Sequence, residues 1–150
     1  MANLTRDDLT NGREKFSLRC VICDKITEAS HAANSHRPEY DYLVAEYDYS
    51  SIDLGVFLKK TPWQKRYGQL LPINNIDAMK FIGECNTPLI ESKKYKNCYF
   101  KDETRNPSGC FKDRENAVLM PYLIENGISK LCVASSGNAA LSASLYGRLY

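Results

Sequence analysis

Long apolar runs are missing from this chain of 150 residues. No stretch reaches about 18 consecutive apolar residues, so we expect no membrane-spanning helix and no membrane partner. The segment from Met1 to Asp8 lacks the apolar core of a signal peptide. We therefore expect a cytoplasmic protein whose six cysteines are free thiols in a reducing compartment.

The chain also has little excess of either charge. Its 20 lysines and arginines stand against 18 acidic residues, which leaves a formal net charge of +2. Because the two signs are interleaved along the chain, the sequence has no basic stripe of the kind that contacts phosphate backbones, and we expect no nucleic-acid partner. The hydrophobic fraction of 43% and the charged fraction of 25% are typical of a soluble globular domain.

A single C-x-x-C pair, Cys20 and Cys23, occurs near the N-terminus without a second pair to complete a zinc ribbon. His36 and Glu39 are side chains that zinc accepts, so a metal site built from these four residues is one interpretation. Because a zinc ribbon needs two C-x-x-C pairs and only one is present, we favour the interpretation that the two cysteines have a packing role, and we predict no metal ligands. Residues 40–49 are rich in tyrosine, valine and leucine and predict a β-strand.

The second half of the chain predicts alternating strands and helices: strands over 98–102 and 130–134, and helices over 111–125 and from Asn138 onward. Asn126-Gly127 provides the left-handed stop of the first helix, while Pro121 inside it should kink or shorten it. Strand, helix and strand in this order predict a right-handed unit with two parallel strands.

Two loops leading into these helices carry the chemistry. The first reads Asn106-Pro107-Ser108-Gly109-Cys110-Phe111-Lys112-Asp113-Arg114, and the second reads Ala134-Ser135-Ser136-Gly137-Asn138-Ala139. A helix start offers unpaired N–H groups and partial positive charge, which suit anions and favour the neutral form of a lysine amine. A neutral amine is a nucleophile toward aldehydes. The charges of Asp113 and Arg114 are better explained by helix-end electrostatics and ion pairs than by catalysis.

These motifs resemble the signatures of the pyridoxal-phosphate enzymes of fold type II, the tryptophan-synthase-β-like family, and among them the threonine synthases most. The resemblance runs from Trp63 to the C-terminus. It includes the turn Gly83-Glu84-Cys85-Asn86-Thr87-Pro88-Leu89, in which Cys85 stands where the family has a second glycine. If that position needs a positive φ, cysteine is strained there.

The resemblance implies an α/β fold, a partial three-layer sheet of the fold type II enzymes, with a small N-terminal β appendage. It implies pyridoxal 5'-phosphate as cofactor. Lys112 matches the family's catalytic lysine, which binds the cofactor's aldehyde, and Asn138 matches the asparagine that hydrogen-bonds the cofactor's phenolic oxygen. The residues matched to the loop that receives the carboxylate of an amino-acid substrate are Ser135, Ser136, Gly137, Asn138 and Ala139.

The implied reaction is that of a carbon–oxygen lyase acting on phosphates, which turns O-phosphohomoserine and water into threonine and phosphate. Threonine dehydratase, cysteine synthase and diaminopropionate ammonia-lyase activities remain alternatives within the same family. Another alternative is a remnant or interaction module without catalysis. A small zinc-binding domain organised around Cys20 and Cys23 is a third and weaker interpretation.

The family's glycine-rich phosphate loop has no counterpart here, since Gly147 is the only glycine after Gly137. We therefore expect residues 61–150 to form an incomplete N-terminal part of the catalytic domain, after an arm and degenerate zinc-ribbon-like segment over 1–60. Activity of these 150 residues alone is not expected. A partial sheet should expose an apolar edge, so the predicted partners include a second copy or a complementary C-terminal part.

Overall fold

The computed structural model of the chain describes residues 15–28 and 42–150. Among these residues, contacts divide the chain into two units. The first takes in 15–28, 42–76 and Glu125–Gly127, and the second takes in Asp77–Ile124 and Ile128–Tyr150. The predicted division at residue 60 stays a prediction, and so does the loose N-terminal arm, of which residues 1–14 lie outside the described part.

The first unit contains a three-stranded antiparallel sheet formed by β1 (Phe16–Cys20), β2 (Ile26–Glu28) and β3 (Leu43–Tyr47), with β1 in the middle. Alternation along β1 buries Phe16, Leu18 and Cys20 on one face, as the two-residue period of a strand requires. The strand predicted within 40–49 is confirmed as β3.

Short helices follow this sheet: 3₁₀ helices at Tyr49–Ser51, Leu54–Leu58, Gly68–Leu70 and Ile76–Ala78, and α1 at Trp63–Tyr67. Asp48 and Asp53 cap the first two 3₁₀ helices, because their carboxylates accept the amides of Ser50 and Gly55. Lys15 Nζ donates to the carbonyls of Gly68, Leu71 and Ile73.

The second unit contains the hairpin of β4 (Leu89–Glu91) and β5 (Tyr99–Lys101), a 3₁₀ turn at Glu103–Arg105, and the helices α2 (Lys112–Glu125) and α3 (Asn138–Leu149). Its buried side chains include Cys110, Ala117, Met120, Ala143 and Tyr146, which come from α2, α3 and the loop before α2. Both predicted helices are therefore confirmed, and Lys112 and Asn138 are their first residues.

α2 ends as its sequence predicts. Gly127 has a φ of 70°, and the amide of Ile128 donates to the carbonyl of Leu123 over 2.8 Å. A hydrogen bond from the amide of residue i+5 to the carbonyl of residue i, with a left-handed glycine just before the donor, is characteristic of the Schellman motif. Pro121 lies inside the helix without ending it, so the helix is not shortened there.

The predicted parallel unit is wrong in two respects. β5 and β4 form a two-stranded antiparallel sheet, which no later parallel strand joins among the described residues. Residues 130–134 have no regular secondary structure and join no ladder there, and Leu131 and Val133 are exposed. A strand needs a neighbour to take up its N–H and C=O groups, and apolar composition alone does not supply that neighbour.

Cys85 has the strained backbone that the resemblance to the family predicted for a cysteine at this position. Its φ is 66°, in the left-handed region where a side chain costs about 1–2 kcal/mol. We predict that Cys85→Gly is more stable than Cys85→Ala by about 1 kcal/mol, because both variants lose the thiol and only glycine relieves the backbone. Chemical denaturation of the two variants measures the difference. Equal stability would mean that the backbone at this turn relaxes without cost.

No helix within the described ranges, 15–28 and 42–150, combines the length and apolar character needed to cross a membrane.

Candidate active site

The two predicted loops meet where α2 and α3 begin. Lys112 opens α2, Asn138 opens α3, and Gly137 is the residue before α3. Cys110, two residues before Lys112, is buried, and its Sγ lies 3.9 Å from the carbonyl oxygen of Asn138. The structure thus places the lysine loop beside the Ser-Ser-Gly-Asn loop, although no strand pairing of residues 130–134 contributes to this.

The amine of Lys112 is accessible. Its side chain is 32% exposed, and Nζ forms an ion pair with Glu115 Oε2 at 2.7 Å. Nζ also lies 5.2 Å from the centroid of the Phe111 ring, which is itself exposed rather than packed in the core. A surface ion pair between residues three apart on a helix contributes only a few tenths of a kcal/mol, roughly 0.2–0.5. The amine can therefore leave Glu115 at little cost.

The loop from Ser135 to Asn138 is exposed, and α3 begins without a side-chain cap. The first intrahelical bond runs from the Leu141 amide to the Gly137 carbonyl. In the part of the chain that the structure describes, the amides of Asn138, Ala139 and Ala140 have no acceptor. A side chain added at Gly137 would project into open space. Unpaired amides at the start of a 12-residue helix suit a carboxylate or phosphate.

Asp113 lies at the junction of the two loops and is fully buried. Its carboxylate accepts hydrogen bonds from the Ser108 amide at 2.7 Å and from the Ser108 hydroxyl. It also accepts the Ser142 hydroxyl of α3 at 2.6 Å. Asn116 Nδ2 donates to the Ser142 hydroxyl at 3.0 Å and to the Lys112 carbonyl at 3.1 Å. These bonds connect the loop before α2, the first turns of α2 and the second turn of α3.

A second polar group, the Glu103 cluster, consists of Glu103, Arg114, Thr87 and Asn106. Arg114 donates from Nε and Nη2 to the two carboxylate oxygens of Glu103, at 2.7 and 2.8 Å. Thr87 and Asn106 donate to the same carboxylate at 3.0 and 2.9 Å. Asn106 is buried, and its Oδ1 accepts the Cys85 amide at 2.9 Å. The cluster joins the Cys85 turn, the 3₁₀ turn and α2.

Hydrogen bonds from Arg114, assisted by those from Asn106 and Thr87, lower the pKa of Glu103 to about 2. The unfolded carboxyl titrates near its ordinary value, so the stabilising contribution is present above about pH 4.5 and is lost as the pH falls toward 2. We predict that the free energy of unfolding falls more steeply in this interval for the native chain than for Glu103→Gln. Acid titrations followed by circular dichroism give both slopes. Parallel slopes would contradict the prediction.

A largely apolar groove of about 550 Å³ runs between α2, residues 128–133 and α3. Its lining includes Met120, Leu123, Ile128, Leu131, Val133 and Ala143. Leu131 and Val133 are exposed, but they belong to no strand of the described structure, so the predicted apolar sheet edge stays a prediction.

Cys20 is buried and Cys23 is exposed, in the turn between β1 and β2. Within residues 15–28 and 42–150, no group of three or more His, Cys, Asp and Glu side chains could hold a metal ion. His36 and Glu39, the other two members of the alternative zinc site, lie outside the described residues.

The sequence predicted helix-end or ion-pair roles for Asp113 and Arg114. The ion pair is confirmed for Arg114, which pairs with Glu103, whereas Asp113 bonds neutral donors in the described structure. The sequence did not identify Glu103, Asn106 or Ser142 as members of polar networks. Their partners are between 3 and 29 positions away in the sequence, and no local pattern marks them.

Comparison with known proteins supports the resemblance seen in the sequence. Residues 81–150 match the sequence profile of the family described as pyridoxal-phosphate dependent enzymes. This stretch of the chain is similar to that family, and the predicted cofactor, pyridoxal phosphate, is confirmed by the match.

The relatives narrow the resemblance to threonine synthases. That of Methanosarcina acetivorans is 30% identical over 148 residues, covering 88% of this chain and 34% of the relative. The threonine synthase of Methanocaldococcus jannaschii is 31% identical over 145 residues, which cover 85% of this chain and 34% of the relative. The threonine synthase of Halalkalibacterium halodurans is 35% identical over 88 residues, which cover 55% of this chain and 25% of the relative. The chain thus spans about a third of the length of the relatives it matches most fully. No solved structure matches it significantly.

The residues at the two helix starts fit the family's cofactor. An aldehyde requires an accessible amine, and Lys112 provides one. An amino-acid substrate requires donors for its carboxylate, and the uncapped start of α3 provides them a few residues from the same loop.

Proposed function

We propose that this chain is part of a pyridoxal-phosphate dependent lyase of the threonine synthase kind, which converts O-phosphohomoserine and water to threonine and phosphate. The observation that carries the proposal is the contact between the Lys112 loop and the Asn138 loop through Cys110. It brings the two loops into contact; one of them carries an accessible amine, and the other leads into helix amides that lack an acceptor in the described structure.

In this proposal Lys112 is the catalytic lysine. When bound, pyridoxal phosphate supplies the electron sink of the reaction. Lys112 Nζ would hold the cofactor at its aldehyde group. The free amine then carries protons between carbon atoms of the substrate. Breaking the ion pair with Glu115 is the first requirement for this role.

The loop before α3 orients both molecules. Asn138 would hydrogen-bond the phenolic oxygen of the cofactor and help to hold it. The amides and hydroxyls of Ser135, Ser136, Gly137 and Ala139 receive the substrate carboxylate. Support comes from the exposure of this loop and from the amides at the start of α3 that lack an acceptor in the described structure. Gly137 has no side chain, and the space beside its Cα is open.

The resemblance to the same family also supports proposals for the fold, the domain division, the partners and the location of the protein. We propose that the second unit belongs to the three-layer sheet of fold type II, with the predicted domain division at 60 and 61. The amino-acid substrate is the small-molecule partner, and the protein works in the cytoplasm. A second copy or a complementary C-terminal part covers the apolar groove beside residues 128–133.

Reductive labelling tests the proposal. The purified chain is mixed with pyridoxal phosphate and reduced with borohydride, and the modified peptides are mapped by mass spectrometry. We expect one pyridoxyl group per chain at Lys112, none in Lys112→Ala, and unchanged labelling in Lys96→Ala, which removes an exposed lysine elsewhere. Labelling scattered over several lysines, or absent at Lys112, would contradict the proposal and favour a module without catalysis.

The substrate is tested separately, on the chain together with the complementary C-terminal part proposed above, by phosphate release from O-phosphohomoserine and by deamination of serine and threonine. Turnover of O-phosphohomoserine alone supports the threonine synthase reaction. Deamination of serine or threonine with no phosphate release would assign the chain to one of the related activities.

A further inference from the structure

We infer that Asp113 is a positioning residue, which holds the start of α2 and the start of α3 in the relative placement that their chemistry needs. The inference rests on the proposed function, since it gives a purpose to the juxtaposition of Lys112 and Asn138. Asp113, Ser108 and Ser142 together form the Asp113 clamp.

The bonding pattern of the clamp allows one arrangement. A carboxylate only accepts hydrogen bonds and an amide NH₂ only donates them. The Ser142 hydroxyl therefore gives its proton to Asp113 and accepts from Asn116 Nδ2. Ser108 donates twice to the same carboxylate, from its amide and its hydroxyl. Every donor in the set has its acceptor, so a shift of α3 against the loop would break at least one buried bond.

Burial makes such a shift costly. Asp113 and Ser142 are both fully buried, and no lysine or arginine pairs with Asp113 among residues 15–28 and 42–150. A buried carboxylate without a cation depends on its neutral donors, together with the positive end of α2. Losing one donor leaves charge uncompensated in a place that water does not reach.

The residues of the clamp lie close in sequence to Lys112 and Asn138, so fixing the clamp also fixes the backbone at these two residues. Asp113 follows Lys112 directly. Ser142 lies four residues after Asn138, so the two share a face of α3. Asn116 lies one turn after Lys112 and bonds its carbonyl oxygen. The clamp is thus attached within one turn of each predicted cofactor contact.

Hydrogen exchange measured by mass spectrometry tests the clamp without any cofactor. Asp113→Asn keeps the size of the side chain but turns one acceptor into a donor that faces other donors. We expect exchange to rise about tenfold both in peptides covering 106–112 and in peptides covering 138–146, the change that loss of one net hydrogen bond produces. Ser142→Ala should accelerate the second set only. Ser144→Ala, the same change at an exposed position on α3, should alter neither.

The β4–β5 hairpin serves as an internal reference for global unfolding. If Asp113→Asn fails to fold, the milder Ser142→Ala and Ser108→Ala variants decide, since each removes one hydroxyl. Acceleration in one loop alone after the Asp113 substitution, or equal acceleration in every peptide, would overturn the clamp.

Labelling with pyridoxal phosphate then tests whether the clamp positions the amine of Lys112. The fraction of Lys112 labelled, and the induced circular dichroism of the cofactor's visible band, should fall about fivefold or more in Ser142→Ala and stay unchanged in Ser144→Ala, on the scale of one weakened hydrogen bond. Equal labelling and dichroism in the two variants would overturn the positioning role. If the native chain is not labelled at Lys112, the proposed function fails, while the exchange measurement still decides the clamp.

Discussion

Replacing Arg114 with methionine is expected to lower the free energy of unfolding by about 3 kcal/mol, the scale set by hydrogen bonds to charged groups. Arg114 bonds both oxygens of Glu103 and also donates to the Thr87 hydroxyl at 3.1 Å. Methionine fills similar space but donates nothing. The Glu103 carboxylate, whose side chain is 25% exposed, is then left with two neutral donors.

Urea denaturation of the Arg114 variants measures this effect. Arg114→Lys keeps the charge but cannot bond both oxygens in parallel, so it should recover half of the loss or less. In the double variant with Glu103→Gln, the loss should be smaller than for Arg114→Met alone, because no carboxylate is left unpaired. If Arg114→Met and Arg114→Lys proved as stable as the native chain, the Glu103 cluster would contribute nothing to stability.

Asn106→Asp is expected to destabilise the chain by about 3 kcal/mol at neutral pH, as two like charges a few ångströms apart near a surface do. The exchange is nearly isosteric, but it places a second carboxylate where Nδ2 now donates to Glu103 Oε2 at 2.9 Å and to the Glu103 carbonyl at 3.1 Å. Repulsion raises the pKa of the new carboxyl in the folded chain, so the penalty should shrink as the pH falls below about 5.

Asn106→Ala is the matched control for the added charge. It removes the same hydrogen bonds and leaves the Cys85 amide without its acceptor, at a cost of about 2 kcal/mol that should not shrink in acid. Thermal unfolding of both variants between pH 4 and pH 7 separates the two effects, on a range chosen from the ordinary titration of aspartate. A penalty for Asn106→Asp that is independent of pH would show that the new carboxylate turns away from Glu103.

The two predictions bear on the site because the cluster supports the loop that leads to Lys112. Asn106 opens that loop and Arg114 lies two residues beyond the lysine. Both hold the Cys85 turn, where the backbone is strained. We therefore expect variants of the cluster to loosen the approach to α2 as well as to lower stability.

The local signals in the sequence determined where the helices begin and end. Glycine at 127 tolerates a positive φ that stops α2, and α3 begins directly after Gly137. Such signals act over a few residues, so they can be recognised without the fold. They were enough to predict that Lys112 lies in the first turn of one helix and that another helix begins near Asn138, and the family resemblance of the two motifs implied the cofactor that the family match confirms.

Tertiary structure alone decided which polar groups meet. Asp113 bonds Ser142 across 29 positions, and Arg114 bonds Thr87 across 27. It also decided that residues 130–134 remain unpaired in the described structure and that β5 pairs antiparallel with β4. Strand pairing and buried polar networks depend on what another part of the chain presents, whereas a turn or a helix end depends on its own few residues.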